Sequence, residues 1–209
     1  MMKDNKFENI NTIFWDFDGV IMNSNAVRDS GFEMVLQDFP NEQVNQLLEF
    51  HQKNGGLSRY VKFRYFFEEI LGQSITDEQV HVWAERFSKI MLERLQDKSI
   101  LIEETVQFVE ENYKNYKMII VSGSDQAELR KICKAVDIAQ YFERIHGSPK
   151  PKKEWVTQIL EEENIDANSA VLIGDSLNDY EAAIHNGIKF YGFNNAALQK
   201  KNLNYIVNF

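Results

Sequence analysis

Short apolar runs, each ending at a turn that contains Gly or Asp, alternate with helical patterns along most of this 209-residue chain. Such runs are typical of buried strands, and their alternation with helices favours right-handed crossovers and a parallel sheet. Strands are predicted at residues 12–17, 117–121, 170–173 and 188–193, and helices at 103–116, 125–136, 153–163 and 178–186. We therefore expect an α/β fold with a Rossmann-like parallel sheet, helices on both faces, and ligands at the carboxyl ends of the strands.

One stretch interrupts the alternation, because residues 25–98 show helical periodicity and no convincing strand. Helices are predicted there at 26–38, 42–53, 60–71 and 77–96, separated by prolines and glycines. Thr76 and Gln79 have the spacing of a capping box, which defines the start of the last helix. The sequence thus predicts a core formed by residues 1–22 and 99–209, and an inserted all-helical cap domain formed by residues 23–98, with short connections near Asn23 and Ser99.

Composition restricts the cellular compartment and the binding partners that we expect for the chain. Cys133 is its single cysteine, so no internal disulfide can form, and the net charge of −9 opposes binding to nucleic acid. The first residues lack the apolar segment of a signal peptide, and no apolar run approaches the ~20 residues that cross a bilayer. We expect a soluble cytoplasmic protein that binds neither nucleic acid nor membrane.

Two carboxylates stand two residues apart where the first predicted strand ends, at Asp16 and Asp18. The alternation of side chains along a strand would place both on one side. Burying a like-charged pair is costly unless a cation or a bound proton offsets the repulsion. A helix cap or a solvated turn is the alternative interpretation, whereas Val20 and the early Gly19 exclude an EF-hand loop. The segment therefore predicts a cation at this end of the sheet.

The strand predicted at 170–173 supplies a second carboxylate pair, Asp175 and Asp179. Four carboxylates would then face one crevice. The four histidines are scattered and no cysteine accompanies them, so the ligands would all be oxygen atoms, which suit Mg²⁺ rather than zinc. Because Mg²⁺ is commonly held by one or two carboxylates together with substrate phosphate, a phosphorylated substrate is predicted.

Two further segments could bind phosphate. Ser122 and Gly123 follow the second predicted strand and offer a hydroxyl and a closely approaching backbone N–H, although Ser-Gly-Ser is also a common turn. Lysines at 150, 152 and 153 precede a predicted helix, where one of them could neutralise charge shared by a carboxylate and a phosphoryl group. A solvated turn is the alternative for the lysines.

Taken in order, these segments resemble the four motifs of the haloacid dehalogenase superfamily of phosphotransferases. The motifs are Asp16-Phe17-Asp18-Gly19-Val20, Ser122, the lysine cluster, and Gly174-Asp175-Ser176-Leu177-Asn178-Asp179. The helical insertion resembles the cap domain that this superfamily carries between its first and second motifs. Similar proteins include the phosphoglycolate phosphatases and the beta-phosphoglucomutases.

The resemblance implies a role for each motif carboxylate. Asp16 would be the nucleophile that forms an aspartyl phosphate, and Asp18 the general acid and base. Mg²⁺ would be held by Asp16, by Asp18 through its backbone carbonyl, and by Asp175. Asp179 would support this metal site by hydrogen bonding.

The same resemblance assigns the groups that hold the phosphoryl oxygens and the rest of the substrate. Ser122, the Gly123 N–H and a lysine would bind the phosphoryl group, with Lys152 favoured and Lys150 left open. In the insertion, the segment ending at Arg59 is similar to the Gly-x-Ser-Arg substrate loop of beta-phosphoglucomutase caps. Arg59 would then bind a remote anionic group, and the alternative is a solvated arginine at a helix start.

The resemblance as a whole predicts a Mg²⁺-dependent phosphatase of a small phosphorylated metabolite, such as a sugar phosphate or a phosphoglycolate-like compound. Asp18 disfavours dehalogenation, because the members that cleave halides lack an acid at this position. Arg28 stands where the beta-phosphoglucomutases have a His, which disfavours a mutase. A phosphosugar mutase and a non-catalytic regulatory module that binds phosphate remain the alternatives.

Overall fold

Five parallel strands form a single sheet in the computed structural model, which describes residues 6–201 and 203–209. The spatial order is β3-β2-β1-β4-β5. The strands are β1 (Thr12–Trp15), β2 (Lys117–Asp125), β3 (Arg144–Ser148), β4 (Ala170–Gly174) and β5 (Lys189–Gly192). The predicted α/β fold with a parallel sheet is confirmed. The first five residues of the predicted core segment 1–22 lie outside the described residues.

The apolar runs of the sequence predict β1, β2, β4 and β5 but not β3. This strand lies at the edge of the sheet and pairs only with β2 among the described strands. Its residues Arg144 and His146 are partly exposed, so the segment has no continuous apolar run that would predict a strand. A central strand such as β1, by contrast, is buried at all four positions and is apolar throughout after its first residue.

The sheet separates two apolar layers because successive side chains of each strand point to opposite faces. Ile13 and Trp15 of β1 belong to one layer, and Phe14 belongs to the other. The layer that contains Phe14 is covered by helices that follow β3 and β4 in the chain. The helices outside the insertion are α5 (Glu103–Asn112), α6 (Gln126–Ala135), α7 (Lys152–Glu162), α8 (Leu177–His185) and α9 (Ala196–Gln199).

Between β1 and β2, and before α5, lies a segment whose regular elements are all helices. We call this segment, residues 25–94, the helical insertion. Its α-helices are α1 (Asn25–Val35), α2 (Asn41–Lys53), α3 (Arg59–Tyr65) and α4 (Asp77–Arg94), and a π-helical turn, Phe66–Ile70, continues α3. The interior is aromatic, with Phe32 4.4 Å from Phe87 and 5.4 Å from Phe63 between ring centroids. Its two connections lie side by side, because the Asn23 N–H donates to the Ile100 carbonyl at 2.7 Å.

Capping boxes explain where two of the helices, α4 and α8, begin. The predicted capping box at α4 is present, with the Thr76 hydroxyl accepting from the Gln79 N–H and the Gln79 side chain accepting from the Thr76 N–H. A second capping box at α8 joins Ser176 and Asp179. None of the helices among residues 6–201 and 203–209 has the length and apolar character needed to cross a membrane.

We expect the Thr76→Ala variant to lose about 1 kcal/mol of unfolding free energy, because the Gln79 N–H at the start of α4 loses its acceptor. Thr76→Ser keeps the hydroxyl and is the matched control, for which little change is expected. Urea denaturation followed by circular dichroism measures both. Equal stabilities of the alanine and serine variants would show that the capping box does not stabilise α4.

Candidate active site

The carboxyl ends of three neighbouring strands bring the sequence-predicted residues together. Asp16 directly follows β1, Asp175 directly follows β4, and Ser122 lies near the end of β2. Because β1 lies between β2 and β4, all three residues share one edge of the sheet. The Asp16 N–H donates to the Ile173 carbonyl at 2.9 Å, which extends the β1–β4 ladder to the Asp16 backbone.

Three of the predicted carboxylates form a compact acidic cluster. One carboxylate oxygen each from Asp16, Asp175 and Asp179 lies within 4.8 Å of the others. Asp179 is fixed by the α8 capping box, in which its Oδ2 accepts from the Ser176 N–H at 3.0 Å and from the Ser176 hydroxyl at 2.7 Å. The second oxygen of Asp179 accepts from Lys152, so this carboxylate has protein partners at both oxygens.

Lys152 is the lysine that lies in the acidic cluster. Its Nζ is 2.8 Å from Asp16 Oδ1 and also contacts Asp179, and the side chain is 1% exposed. Lys150, which the sequence left as an alternative, bonds to Gln158 and lies 4.4 Å from the centre of the Trp155 ring. In this arrangement only Lys152 of the two can neutralise Asp16.

The charged groups of the cluster shift one another's pKa values. Burial raises the pKa of Asp16 well above its ordinary value, repulsion from Asp179 and Asp175 adds to the rise, and Lys152 opposes it. Burial and Asp179 together raise the pKa of Asp175 to about 7. Burial would lower the pKa of Lys152, but the two carboxylates it contacts raise it above its ordinary value. The site thus holds more negative charge than one lysine balances, which is the electrostatic condition for binding a cation.

The hydrogen-bond partners of Asp18 differ from those of the acidic cluster. Its Oδ1 accepts from the Arg28 Nε at 3.0 Å and from the Ser24 hydroxyl, and its Oδ2 accepts from the Ser124 hydroxyl at 2.6 Å. Burial would raise the pKa of Asp18, but the charge of Arg28 and these hydrogen bonds hold it below its ordinary value. The surroundings of Asp16 and Asp18, two residues apart in the sequence, therefore shift the pKa values of these carboxylates in opposite directions.

Glycines allow the backbone to approach closely on both sides of the cluster. At Gly19, where φ is +76°, a Cβ would lie 2.0 Å from an oxygen of Asp175. At Gly123 a Cβ would lie 2.2 Å from the Gly56 carbonyl oxygen, so the loop of the helical insertion rests on the predicted phosphate-binding turn. Ser122 beside it is buried, and its hydroxyl accepts from the Ser124 N–H at 3.1 Å.

A cavity of about 630 Å³ connects this edge of the sheet with the helical insertion. Asp16, Ser122 and Gly123 line it from the sheet, and Arg28, Arg59 and Lys62 line it from the insertion. The volume is in the range of pockets that enclose small molecules.

Arg59 lines this cavity, but its guanidinium is already paired. Its two terminal nitrogens donate to the two carboxylate oxygens of Glu128, one at 2.9 Å, and the Nη1 also donates to Ser88 at 2.7 Å. The guanidinium also lies 4.6 Å from the centre of the Phe87 ring. Binding of a remote anion by Arg59 stays a prediction from the sequence, and in this arrangement Glu128 occupies the fork that an anion would use.

Glu128 was not identified from the sequence. It lies in the first turn of α6, is 1% exposed, and also accepts from the Arg28 Nη1 at 2.5 Å. One signal for it exists, since Glu128 stands four residues before Ile132 on the apolar face of α6. A carboxylate at such a position requires a buried partner, and here it has two arginines from the helical insertion.

Lys62 and His51 also line the cavity, although neither is among the site residues predicted from the sequence. Lys62 is 4% exposed, and its Nζ lies 2.6 Å from His51 Nδ1, while His51 Nε2 lies 3.2 Å from Asp29. Burial lowers the pKa of Lys62 to about 7, with Arg28 adding to the decrease. A lysine and a histidine from α3 and α2 therefore meet on the wall of the cavity.

A family model described as haloacid dehalogenase-like hydrolase matches residues 13–193. The chain belongs to this family. The matched range begins in β1 and ends one residue beyond β5, so it includes the sheet, the acidic cluster and the helical insertion. No curated protein matches the chain.

Solved structures confirm the fold of this haloacid dehalogenase-like hydrolase. A predicted phosphatase from Clostridium acetobutylicum has a TM-score of 0.74 and 18% identity, with 96% of this chain and 94% of that one covered. CbbY from Rhodobacter sphaeroides, a mutant in complex with xylulose-(1,5)bisphosphate, has a TM-score of 0.73 and 14% identity, covering 95% and 94%. YfnB from Bacillus subtilis, bound to magnesium, has a TM-score of 0.66 and 17% identity, covering 88% and 89%.

The buried position of Lys152 gives a stability prediction. We expect Lys152→Met to lower the unfolding free energy by about 3–5 kcal/mol, since two buried carboxylates lose their cation. Lys150→Met is the matched control and is expected to cost less than about 1 kcal/mol, because Lys150 has no carboxylate partner at salt-bridge distance within residues 6–201 and 203–209. Both are measured by urea denaturation without divalent metal, and equal losses would contradict the assignment of Lys152 to the cluster.

Proposed function

We propose that this haloacid dehalogenase-like hydrolase is a Mg²⁺-dependent phosphatase of a small phosphorylated metabolite, and that it acts through an aspartyl phosphate on Asp16. The observation that carries the proposal is a cavity lined by Asp16, Asp175 and the Ser122-Gly123 turn, together with the buried Lys152 that contacts Asp16 and the Asp179 of the same acidic cluster. Each of these groups matches a need of phosphoryl transfer, namely a nucleophile, a cation site, and donors for the phosphoryl oxygens.

The donor set of the acidic cluster fits Mg²⁺. All three members are carboxylates, and burial together with the charge of Asp179 raises the pKa values of Asp16 and Asp175. Asp16 and Asp175 would hold the ion with the backbone carbonyl of Asp18, while Asp179, whose oxygens are bonded to Lys152 and Ser176, would support them. When bound, Mg²⁺ would neutralise charge on the phosphoryl oxygens. The magnesium bound to the structurally similar YfnB supports this choice.

The reaction would proceed in two steps on this chain's residues. A carboxylate oxygen of Asp16 attacks phosphorus while the bond from phosphorus to the substrate oxygen breaks, and Asp18 donates a proton to that leaving oxygen. Water then attacks the phosphorus of the aspartyl phosphate and gives a proton to Asp18, which releases inorganic phosphate and restores Asp16. The partners of Asp18 stabilise its ionised form, the form that accepts this proton.

Ser122, the Gly123 N–H and Lys152 would hold the phosphoryl oxygens during both steps, because positioned donors and charge supply most of the acceleration in phosphoryl transfer. Residues 23–98 would act as a cap domain over the core of residues 1–22 and 99–209. Contact between the insertion loop at Gly56 and the turn at Gly123 supports such a cap. Exclusion of water from the cavity would strengthen the electrostatic contacts made there.

We expect the purified protein with Mg²⁺ to release phosphate from at least one member of a panel of sugar phosphates, phosphoglycolate, nucleotides and p-nitrophenyl phosphate. Asp16→Asn is expected to reduce release to background, and Asp18→Asn to lower kcat by about 10²- to 10⁴-fold. Thermal denaturation is the control for folding, and Asp16→Asn should melt no earlier than the parent because it removes charge repulsion from the cluster.

Activity that survives Asp16→Asn would contradict the proposal. Absence of phosphate release from the whole panel would also contradict it. In that case, thermal stabilisation by Mg²⁺ with beryllium fluoride would favour the non-catalytic phosphate-binding module.

The metal assignment predicts a separate result. Mg²⁺ should raise the melting temperature of the parent protein, and EDTA should abolish phosphate release until Mg²⁺ is restored in excess. Asp175→Asn should lose the stabilisation by Mg²⁺, whereas Asp166→Asn, a substitution in the turn before β4 and so at the opposite end of that strand from Asp175, should retain it. Equal stabilisation of the two variants would exclude Asp175 as a ligand.

A further inference from the structure

The loop that follows β5 forms hydrogen bonds with the loops that follow β1 and β4. We call residues 193–195, which lie between β5 and α9, the post-β5 loop. The Asn194 Nδ2 donates to the Gly19 carbonyl at 3.0 Å, and the Asn195 Nδ2 donates to the Asp175 carbonyl at 2.6 Å. Two adjacent side-chain amides therefore reach the two loops beside the acidic cluster. Neither asparagine is among the site residues predicted from the sequence.

The backbone of the post-β5 loop suits asparagine at both positions. The Asn195 Oδ1 accepts from the Ala197 N–H at 2.9 Å and so caps α9. Because a backbone N–H can only donate, this contact fixes the orientation of the amide and leaves its Nδ2 facing the Asp175 carbonyl. Asn194 has a φ of +49°, in the left-handed region that asparagine adopts more readily than most residues. Both Nδ2 groups thus remain to hold the neighbouring loops.

The C-terminal segment fixes the post-β5 loop in turn. The Gly192 N–H donates to the Asn204 carbonyl and the Gly192 carbonyl accepts from the Ile206 N–H, both at 2.8 Å. The Tyr205 hydroxyl accepts from the Asn195 N–H at 2.9 Å. Residues 204–206 therefore anchor the end of β5 and the loop that follows it.

The loops after β1 and β4 make few direct hydrogen bonds with each other. The Asp16 N–H extends the ladder between the two strands, but beyond it no hydrogen bond joins residues 17–24 to residues 174–178 among the described residues. The loops still touch, since a Cβ at Gly19 would lie 2.0 Å from an oxygen of Asp175. Repulsion between the Asp16 and Asp175 carboxylates opposes this approach. The post-β5 loop supplies the hydrogen bonds that the two loops do not make directly.

We propose that Asn194 and Asn195 are positioning residues that hold the loops after β1 and β4 close enough for one divalent cation to contact both. The proposal rests on the metal assignment of the proposed function, and it adds the C-terminal part of the chain to the elements that determine metal affinity. Ligands that are held in place before the ion binds lose less conformational freedom on binding. Groups that orient metal ligands typically contribute about 10- to 100-fold in metal affinity.

Asn195→Ser tests the proposal, because serine also caps a helix but lacks the Nδ2 donor to Asp175. We expect the Mg²⁺ dissociation constant, measured by calorimetry, to rise about tenfold. The melting temperature in EDTA should stay close to that of the parent, since the cap of α9 is kept. The kcat for phosphate release should return to within about threefold of the parent at saturating Mg²⁺, because the metal ligands themselves are retained.

Two further substitutions have matched controls. Asn194→Gly keeps the left-handed backbone and removes the donor to Gly19, so Mg²⁺ should bind more weakly. Asn164→Gly is its control, at a φ of +51° in the turn after α7, and should leave the affinity unchanged. Tyr205→Phe removes the acceptor for the Asn195 N–H and should also weaken Mg²⁺ binding. Its control is Tyr191→Phe, which loses only a hydrogen bond to the Lys6 carbonyl.

An unchanged Mg²⁺ dissociation constant in Asn195→Ser would overturn the proposal, as would equal weakening in Asn194→Gly and Asn164→Gly. Absence of Mg²⁺ binding to the parent would instead contradict the metal assignment. Amide hydrogen exchange of the metal-free protein then tests the positioning role separately. We expect exchange in residues 174–178 to be about tenfold faster in Asn195→Ser than in the parent, because a hydrogen bond that orders this loop is lost. Equal exchange in the two proteins would show that the asparagines do not hold the loop.

Discussion

Repulsion among buried carboxylates at one edge of the sheet is the constraint on which the rest of the site depends. Burial raises the pKa values of Asp16 and Asp175, repulsion from Asp179 raises them further, and one buried lysine partly compensates. Such a cluster is stable only where a cation, a proton or a rigid set of donors offsets the charge. The Ser176 capping box and Lys152 supply the rigid donors, and the remaining negative charge makes the site suitable for a divalent cation.

The parallel sheet is what concentrates these charges. Strands β2, β1 and β4 are neighbours and all end on the same side, so residues more than a hundred positions apart in the chain meet there. The strands are buried on both faces and anchor the backbone at Asp16 and Asp175 through apolar packing. Loops carry the functional side chains, and the buried strands fix where those loops begin.

A buried ionic network connects the helical insertion to the core. Asp18 and Glu128 belong to the core, Arg28 and Arg59 belong to the insertion, and the pairs alternate between the two. Buried pairs of this kind contribute little net stability, but removing one partner leaves a charge that is costly to bury. The network therefore favours one position of the insertion over the sheet.

Local patterns in the sequence predict the α/β fold, the helical segment and the strand-end carboxylates, because apolar periodicity and carboxylates next to apolar runs are local signals. It also favoured Lys152 over Lys150 through resemblance, and the contacts of Lys152 with Asp16 and Asp179 agree with that choice. Strand β3 was missed because an edge strand need not be apolar.

Which charges meet across elements depends on how the helical insertion packs on the core. Nothing local in the sequence marks Glu128 as the partner of Arg59 and Arg28, since the three residues come from separate helices and pair only when the insertion packs on the core. The same packing buries Lys62 beside His51 with no carboxylate of the described residues at salt-bridge distance. Pairing of buried charges depends on distances through space, and a linear pattern of residue types does not contain those distances.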